Sequence, residues 1–340
     1  MKRILICRPD RVGDTIISSS CFSPLNAAGH TLFFMARKMM SPLFQGHPLL
    51  EQFIPIPNSP HPNPEEKKIL LNQIREVEAD ILIHLHPLPV LYPLTAEAKI
   101  PIRIGHLHKK LTRFLTHAYP YIKDKGDQHE ANYNFDLLES LEIEIPHPLH
   151  YSIHLNPDEE ELANQLLQEH SFPLSYIVLN PTAHSQSLRW PVSHFIELAK
   201  LIRDREEEPF VIIGDNANDP SILELMKDPI FQRNCINLAG KTSLGSLGWI
   251  LKKARLLIGR NTGPSHLAAA VGCPTVEIFG RMEPIYGPNR WHALGENNHP
   301  VCASARKRWF ETKQKFWKRS YESISPQEVY EAALPFLNKT

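Results

Sequence analysis

Between residues 176 and 279 the chain repeats one rhythm, a short apolar run followed by a stretch of helical length. The runs 176–179, 210–213, 235–238, 256–258 and 275–279 read as strands. The stretches 191–203, 220–227, 244–253 and 264–271 read as helices between them. Strands that return in the same sense through a helix form a parallel sheet covered on both faces. Ligands of such sheets bind outside the carboxyl ends of the strands, so the loops just after each strand hold the informative residues.

The first half follows the same logic less regularly. Residues 3–7 start a buried strand, the loop Arg8-Pro9-Asp10-Arg11-Val12-Gly13-Asp14 follows, and 15–25 reads as a helix. Strands are expected at 31–35, 53–56, 81–85 and 100–104, and helices at 39–44, 65–76 and 130–141. In the last of these Tyr133, Leu137, Leu138 and Leu141 fall on one face at helical spacing. The prolines at 55, 57, 60, 62 and 64 read as stiff loop. A chain of 340 residues exceeds one ordinary core. The stretch with Pro146, Pro148 and Pro157 marks the boundary, with acidic residues Asp158 to Glu160 opening the next helix. The expected fold class is α/β: a domain over 1–155, a second over 156–325, and a terminal helix at 326–340 that packs back on the first domain.

Composition excludes several classes. The chain has 37 basic and 37 acidic residues, so its global charge gives no reason to expect nucleic-acid binding. Cys7, Cys21, Cys235, Cys273 and Cys302 are spread out and form no Cys-x-x-Cys pair. That argues against a disulfide framework or a zinc site and fits a reducing cytoplasm. The apolar run after Met1-Lys2-Arg3 is too short for a secretory signal, and no window reaches the roughly 18 apolar residues of a membrane span.

The segment Asn261-Thr262-Gly263-Pro264-Ser265-His266-Leu267-Ala268-Ala269-Ala270 directly follows a strand. Asn261 or Thr262 is placed to cap the helix, Gly263 admits a close backbone approach, and Pro264 suits the first turn. The free N–H groups and dipole at that start favour an anion, with a diphosphate as the natural guest. An ordinary capped helix without a ligand is the competing reading.

With Gly280, Pro284, Gly287 and Pro288 downstream, this block resembles the signature of glycosyltransferase family 9, the lipopolysaccharide heptosyltransferases. The likeness extends to residues 4–14 ending in Gly13-Asp14, to Arg103-Ile104-Gly105, to 129–141, to 180–191 ending Arg189-Trp190-Pro191, and to 238–244. The resemblance implies the GT-B architecture, two Rossmann-like doubly wound domains facing a central cleft. The acceptor would lie mainly on the first domain and the nucleotide-sugar donor mainly on the second. It implies inverting transfer without metal or other cofactor, typically of heptose from ADP-heptose to a lipid-linked inner-core oligosaccharide. No Asp-x-Asp and no metal-spaced cluster appears in the sequence.

In that frame Asp14 is the candidate general base, with helix capping as its alternative role and Asp10 as a second candidate. Arg11 and Gly13 fall on the acceptor side. Thr182, Arg189, Gly240, Lys241, Asn261, Thr262, Gly263 and His266 are donor candidates. Arg189 and Lys241 also read as solvated charges, and His266 as a structural helix residue. Two positions depart from the family: Asn261 replaces its usual Asp, and Leu188 stands where it commonly has Lys. They motivate a rival of another class, a non-catalytic sugar-nucleotide-binding protein that keeps the fold. A nucleotide-sugar epimerase is a third reading.

Residues 306–319 hold seven basic residues against one acidic, interleaved with Trp309, Phe310, Phe316 and Trp317. This suits peripheral contact with an anionic surface at the cytoplasmic face of the inner membrane, or a phosphorylated lipid acceptor. The alternative is a solvated helix whose aromatics pack on its own domain.

Overall fold

The computed structural model describes residues 1–59, 62–168, 175–204 and 208–337. Pro60 and the end of the expected terminal segment, 338–340, lie outside them. The chain divides into two compact units, Met1–Asn156 and Pro157–Thr340.

In the first unit β1 (Arg3–Arg8), β2 (Thr31–Arg37), β3 (Gln52–Ile56), β4 (Ile81–His84), β5 (Ile102–His106) and β6 (His117–Tyr119) form one sheet, all pairs parallel. Its order is β3-β2-β1-β4-β5-β6. In the second unit β7 (Ile177–Asn180), β8 (Phe210–Ile212), β9 (Cys235–Asn237), β10 (Leu256–Arg260), β11 (Thr275–Phe279) and β12 (Asn298–Cys302) are again parallel, in the order β12-β11-β10-β7-β8-β9. Counted within each unit, both sheets are wound 3-2-1-4-5-6, the Rossmann order. Each therefore reverses direction at one switch point, between β1 and β4 in the first unit and between β7 and β10 in the second. The central strands are largely apolar because helices cover both faces.

Several expected elements differ in detail. The helix expected at 15–25 begins three residues earlier, as Val12–Ser18, and passes through a 3₁₀ turn, Ser19–Cys21, into Phe22–Ala27. Ser18, Ser19 and Ser20 each turn a hydroxyl back onto a carbonyl of the preceding turn, at 2.8, 2.6 and 2.8 Å, a local competition that tightens the helix. The helix expected at 130–141 stops after Glu130–Asp136, and Glu142 turns left-handed at φ 50°. The helix Leu91–Glu97 and the edge strands β6 and β12 lie where no element is expected from the sequence.

The terminal helix Pro326–Leu337 is not a segment apart. Val329, Tyr330, Ala333, Phe336 and Leu337 are buried in the same core as Ile177, Leu256 and Val276 of the second unit. The Arg255 side chain also donates to the Phe336 carbonyl at 3.0 Å. Its apolar stripe closes the core of the unit that carries it. Each fully buried side chain of this kind stabilises the fold by about 1.5–3 kcal/mol.

Candidate active site

Just past the carboxyl end of β1, at the first switch point, charged side chains converge on Arg8. Its guanidinium is 1% exposed and donates to Asp10 twice (2.6 and 3.0 Å), to Asp14 Oδ1 (2.7 Å), to Glu130 Oε1 (3.2 and 3.1 Å) and to Asn134 Oδ1 (3.0 Å). Lys123, also buried, reaches the same Glu130 oxygen at 2.6 Å. His86 Nδ1 lies 3.5 Å from Asp10 Oδ2. Two full cations thus face three carboxylates.

That imbalance separates the carboxylates. Burial works against ionisation of Asp10, but the two-point grip of Arg8 outweighs it and holds its carboxyl below the usual range. Asp14 receives one bond from Arg8. Burial raises its pKa to about 6; Arg8 opposes that, while Asp10 and Glu130 add to it. Burial and the neighbouring Arg8 lower Lys123 against the pull of Glu130. Arg8 itself stays charged, since its three carboxylates override burial.

Asp14 is the third residue of the helix Val12–Ser18 rather than its cap. Arg11 occupies the cap position and is exposed, and Gly13 is buried in the first turn. No donor among the described residues reaches Asp14 Oδ2. Elsewhere in this unit a cavity of about 500 Å³ opens beside the ends of β5 and β6. Ile122, Phe135, Leu137 and Leu138 line it together with the polar side chains of His106, Tyr119, Asp136 and Glu139.

At the switch point of the second unit, Asn180 ends β7 and its amide donates to Thr262 Oγ1 at 3.3 Å. Its own Oδ1 accepts from the Thr182 hydroxyl at 2.8 Å. Gly259 permits this approach: a Cβ there would stand 2.9 Å from Asn180 Cβ. Thr182, Thr262 and the opening of the helix Gly263–Ala270 are thereby brought together. Thr262 sits at the cap position with extended backbone, but its hydroxyl turns to the Arg260 carbonyl at 3.3 Å and caps no helical N–H. The amino end is left without a side-chain cap, as an anion site requires. His266 is buried in this helix.

Asn261 points elsewhere. Its Nδ2 donates to Glu277 Oε1 and to the Trp291 carbonyl, both at 2.6 Å. Glu277, on β11, is fully buried and also accepts from the Ala293 N–H at 2.9 Å. Burial raises its pKa to about 7, against the effect of those two donors. Arg189 is committed to Asp219 at 3.0 Å and Ser221 at 2.8 Å, holding the loop after β7 to the start of the helix Pro220–Leu225. Gly240 turns left-handed at φ 71°, and Lys241 beside it is exposed.

The model of glycosyltransferase family 9 (heptosyltransferase) matches residues 69–318. The chain belongs to glycosyltransferase family 9. Among its relatives is lipopolysaccharide heptosyltransferase 2 of Escherichia coli (strain K12), 26% identical over 323 residues, covering 85% of this chain and 86% of the relative. Lipopolysaccharide heptosyltransferase 3 of the same strain is 28% identical over 122 residues. That match spans only 34% of the relative's length and 36% of this chain. Among solved structures, E. coli ADP-heptose lps heptosyltransferase II superposes with a TM-score of 0.77 at 22% identity, over 99% of this chain and 98% of that one. The family 9 glycosyltransferase of Veillonella parvula DSM 2008 also gives 0.77, at 20% identity over 100% and 98% of the two chains. These likenesses establish the fold.

Against the family pattern both departures have local explanations. Leu188 packs against the second-unit core beside the buried Trp190, whose Nε1 donates to the Ile324 carbonyl at 2.9 Å. Asn261 matches an acceptor with each of its amide hydrogens. Sequence reasoning missed Arg8, Lys123, Glu130, Asn134, Asn180 and Glu277 as members of these networks. Arg8 and Glu277 do carry a signal: each is a charged residue in the register of a strand otherwise apolar on both faces.

Proposed function

We propose that this family 9 protein transfers a sugar, heptose from ADP-heptose as first choice, to a lipopolysaccharide inner-core or related glycan acceptor. Transfer is a single inverting displacement. The acceptor hydroxyl gives its proton to Asp14, its oxygen bonds to the anomeric carbon, and the bond from that carbon to the diphosphate breaks to release ADP. Asp14 supports the base role because one oxygen is held by Arg8, the other is left for a hydroxyl, and its pKa near 6 keeps it ionised at neutral pH. Arg11 and Gly13 flank it on the acceptor side. Thr182, Thr262, Gly263 and His266 serve the donor, with Gly240 and Lys241 toward the nucleotide. Arg189 acts by fixing the loop that carries Thr182. The leaving diphosphate is met by helix N–H groups, so no metal or other cofactor is required.

The reaction takes place at the cytoplasmic face of the inner membrane, with residues 306–319 as the contact. Among the described residues no helix is long and apolar enough to cross a membrane. The observation that carries the activity is the Arg8-held Asp14 in a chain of this family. Its test is transfer from ADP-heptose by wild type and Asp14→Ala. The variant should lose about 10²–10⁴-fold in rate with ADP-heptose binding intact. Equal, negligible rates in both proteins, with binding intact, would instead favour the non-catalytic sugar-nucleotide-binding reading.

A further inference from the structure

Where β10 and β11 end, two arginines stand without a counter-charge. Leu256 and Ile258 turn one face of β10 into the second-unit core, and strand alternation puts Arg260 next in that row. Arg260 is 6% exposed, yet among the described residues its guanidinium makes one hydrogen bond, from Nε to the Tyr321 hydroxyl at 3.2 Å. Val276 and Ile278 run the same way along β11, and Gly280 follows them; a Cβ there would stand 2.5 Å from the Tyr321 ring. Arg281 comes next in the chain. Its guanidinium lies 4.0 Å from the Tyr286 ring centre and 5.3 Å from that of Trp317, one turn before Tyr321 on the helix Lys313–Glu322. Burial lowers the pKa of Arg281, and the charge of Arg260 lowers it further, against the pull of Tyr321, Tyr286 and Glu283. Glu283 accepts from Trp317 Nε1 at 2.7 Å, and among the described residues no carboxylate forms an ion pair with either arginine.

A buried cation without a counter-charge is costly. Arg8, also buried, meets three carboxylates. The charge missing beside Arg260 and Arg281 fits a ligand, and the carboxyl end of a parallel sheet is where its ligands bind. A guanidinium stacked on rings keeps its N–H edge for acceptors. Two such forks offer more donors than a carboxylate can take, and their paired charge suits a phosphate dianion. The proposed donor does not supply that group. Its diphosphate is assigned to the opening of the helix Gly263–Ala270, no residue of which belongs to the core beneath Arg260, and heptose offers hydroxyls only. We infer that Arg260 and Arg281 form a site for a phosphate group carried by the acceptor glycan. Its assignment to the acceptor rests on the donor reading proposed above.

Calorimetric titration of glucose 6-phosphate, glucuronate and glucose into ADP-saturated wild type, Arg281→Gln and Arg260→Gln tests this. With ADP in the diphosphate place, a phosphate bound beside it marks a separate site. Glucose 6-phosphate should bind wild type, glucuronate more weakly and glucose not measurably. Each variant should lose about tenfold or more in glucose 6-phosphate affinity, the cost of a hydrogen bond to a charged group, with ADP affinity unchanged. Four results would each overturn the inference while the donor reading stands: no binding of glucose 6-phosphate, equally tight glucose or glucuronate, undiminished affinity in Arg281→Gln, or an equal loss for ADP. Wild type that binds no ADP would overturn the donor reading and, with it, the assignment to the acceptor. Should Arg260→Gln not fold, Arg281→Gln, at a part-buried position, still decides.

Discussion

Asp10 and Asp14 lie beside the same guanidinium yet are displaced in opposite directions. The difference is one of grip: Arg8 takes both oxygens of Asp10 and one of Asp14. The looser carboxylate has Arg8 and Arg11 holding it down and burial, Asp10 and Glu130 pushing it up, and it is the one suited to exchange a proton near neutrality. A base must be unprotonated to act, so log kcat/KM should rise with unit slope below pH about 6 and flatten above it. Glu130→Gln removes one of the negative neighbours that raise Asp14 and should move this limb to lower pH; an unmoved limb would show that another group is being titrated. Removing the hub has a different outcome. Arg8→Met strands Asp10 and leaves Glu130 with Lys123 alone, and should cost about 3–5 kcal/mol in denaturant unfolding, since a buried carboxylate loses its counter-charge. Asp14 was legible as a candidate because acidic residues after a first strand are chemically informative. Its partners were not, because Glu130 and Asn134 lie 122 and 126 residues from Arg8 and nothing local announces the contact.

At the level of elements, the central strands were legible because burial on both faces demands continuous apolar runs. The edge strands were not. His117–Tyr119 is short and polar, and Asn298–Cys302 carries Pro300, compositions that an edge tolerates and a strand reading discounts. In the second unit β10 and β7 approach closely where Gly259 faces Asn180. Gly259→Ala would drive a methyl against Asn180, 3.0 Å from its carbonyl oxygen as well as 2.9 Å from its Cβ. Neither atom can swing away, so a loss of about 1–3 kcal/mol in thermal or denaturant unfolding is expected. Glu277 adds a pH dependence. Its pKa is raised from 4.5 to about 7 by burial, so between these values the folded chain keeps a proton that the unfolded chain has released. The stability this contributes is complete below about 4.5 and lost as pH rises through about 7. Glu277→Gln has no such proton to lose. Its stability should therefore improve relative to wild type on going from pH 5 to 8, by about 2–3 kcal/mol, read as a narrowing gap in melting temperature. A difference that stays constant with pH would place the titration elsewhere.

Over the whole molecule basic and acidic residues balance, so any attraction to an anionic surface has to come from a local arrangement. The four aromatics in 306–319 divide into a packed pair and an exposed pair. Phe316 is buried, and Trp317 donates to Glu283 at 2.7 Å and lies 5.3 Å from the Arg281 guanidinium, within its own unit. Trp309 and Phe310 stand in a turn ahead of the helix Lys313–Glu322, 95% and 66% exposed. Arg306, Lys307, Arg308, Lys313 and Lys315 surround them in sequence and are largely exposed. An aromatic pair at a turn, ringed by cations, fits a bilayer boundary: rings enter the headgroup layer while each basic residue adds about 1 kcal/mol on an anionic leaflet. The full chain should therefore co-sediment with phosphatidylglycerol vesicles, far less with phosphatidylcholine, and less as salt is raised. Trp309→Ser with Phe310→Ser should weaken that binding about tenfold or more, since each ring contributes on the order of 1.5–3 kcal/mol when buried. Soluble ADP-heptose should bind the double variant as it binds wild type, because the residues proposed for the donor lie outside 306–319. Equal sedimentation with both vesicle types, or a double variant that sediments like wild type, would remove the membrane from the account and leave the pair as an exposed turn.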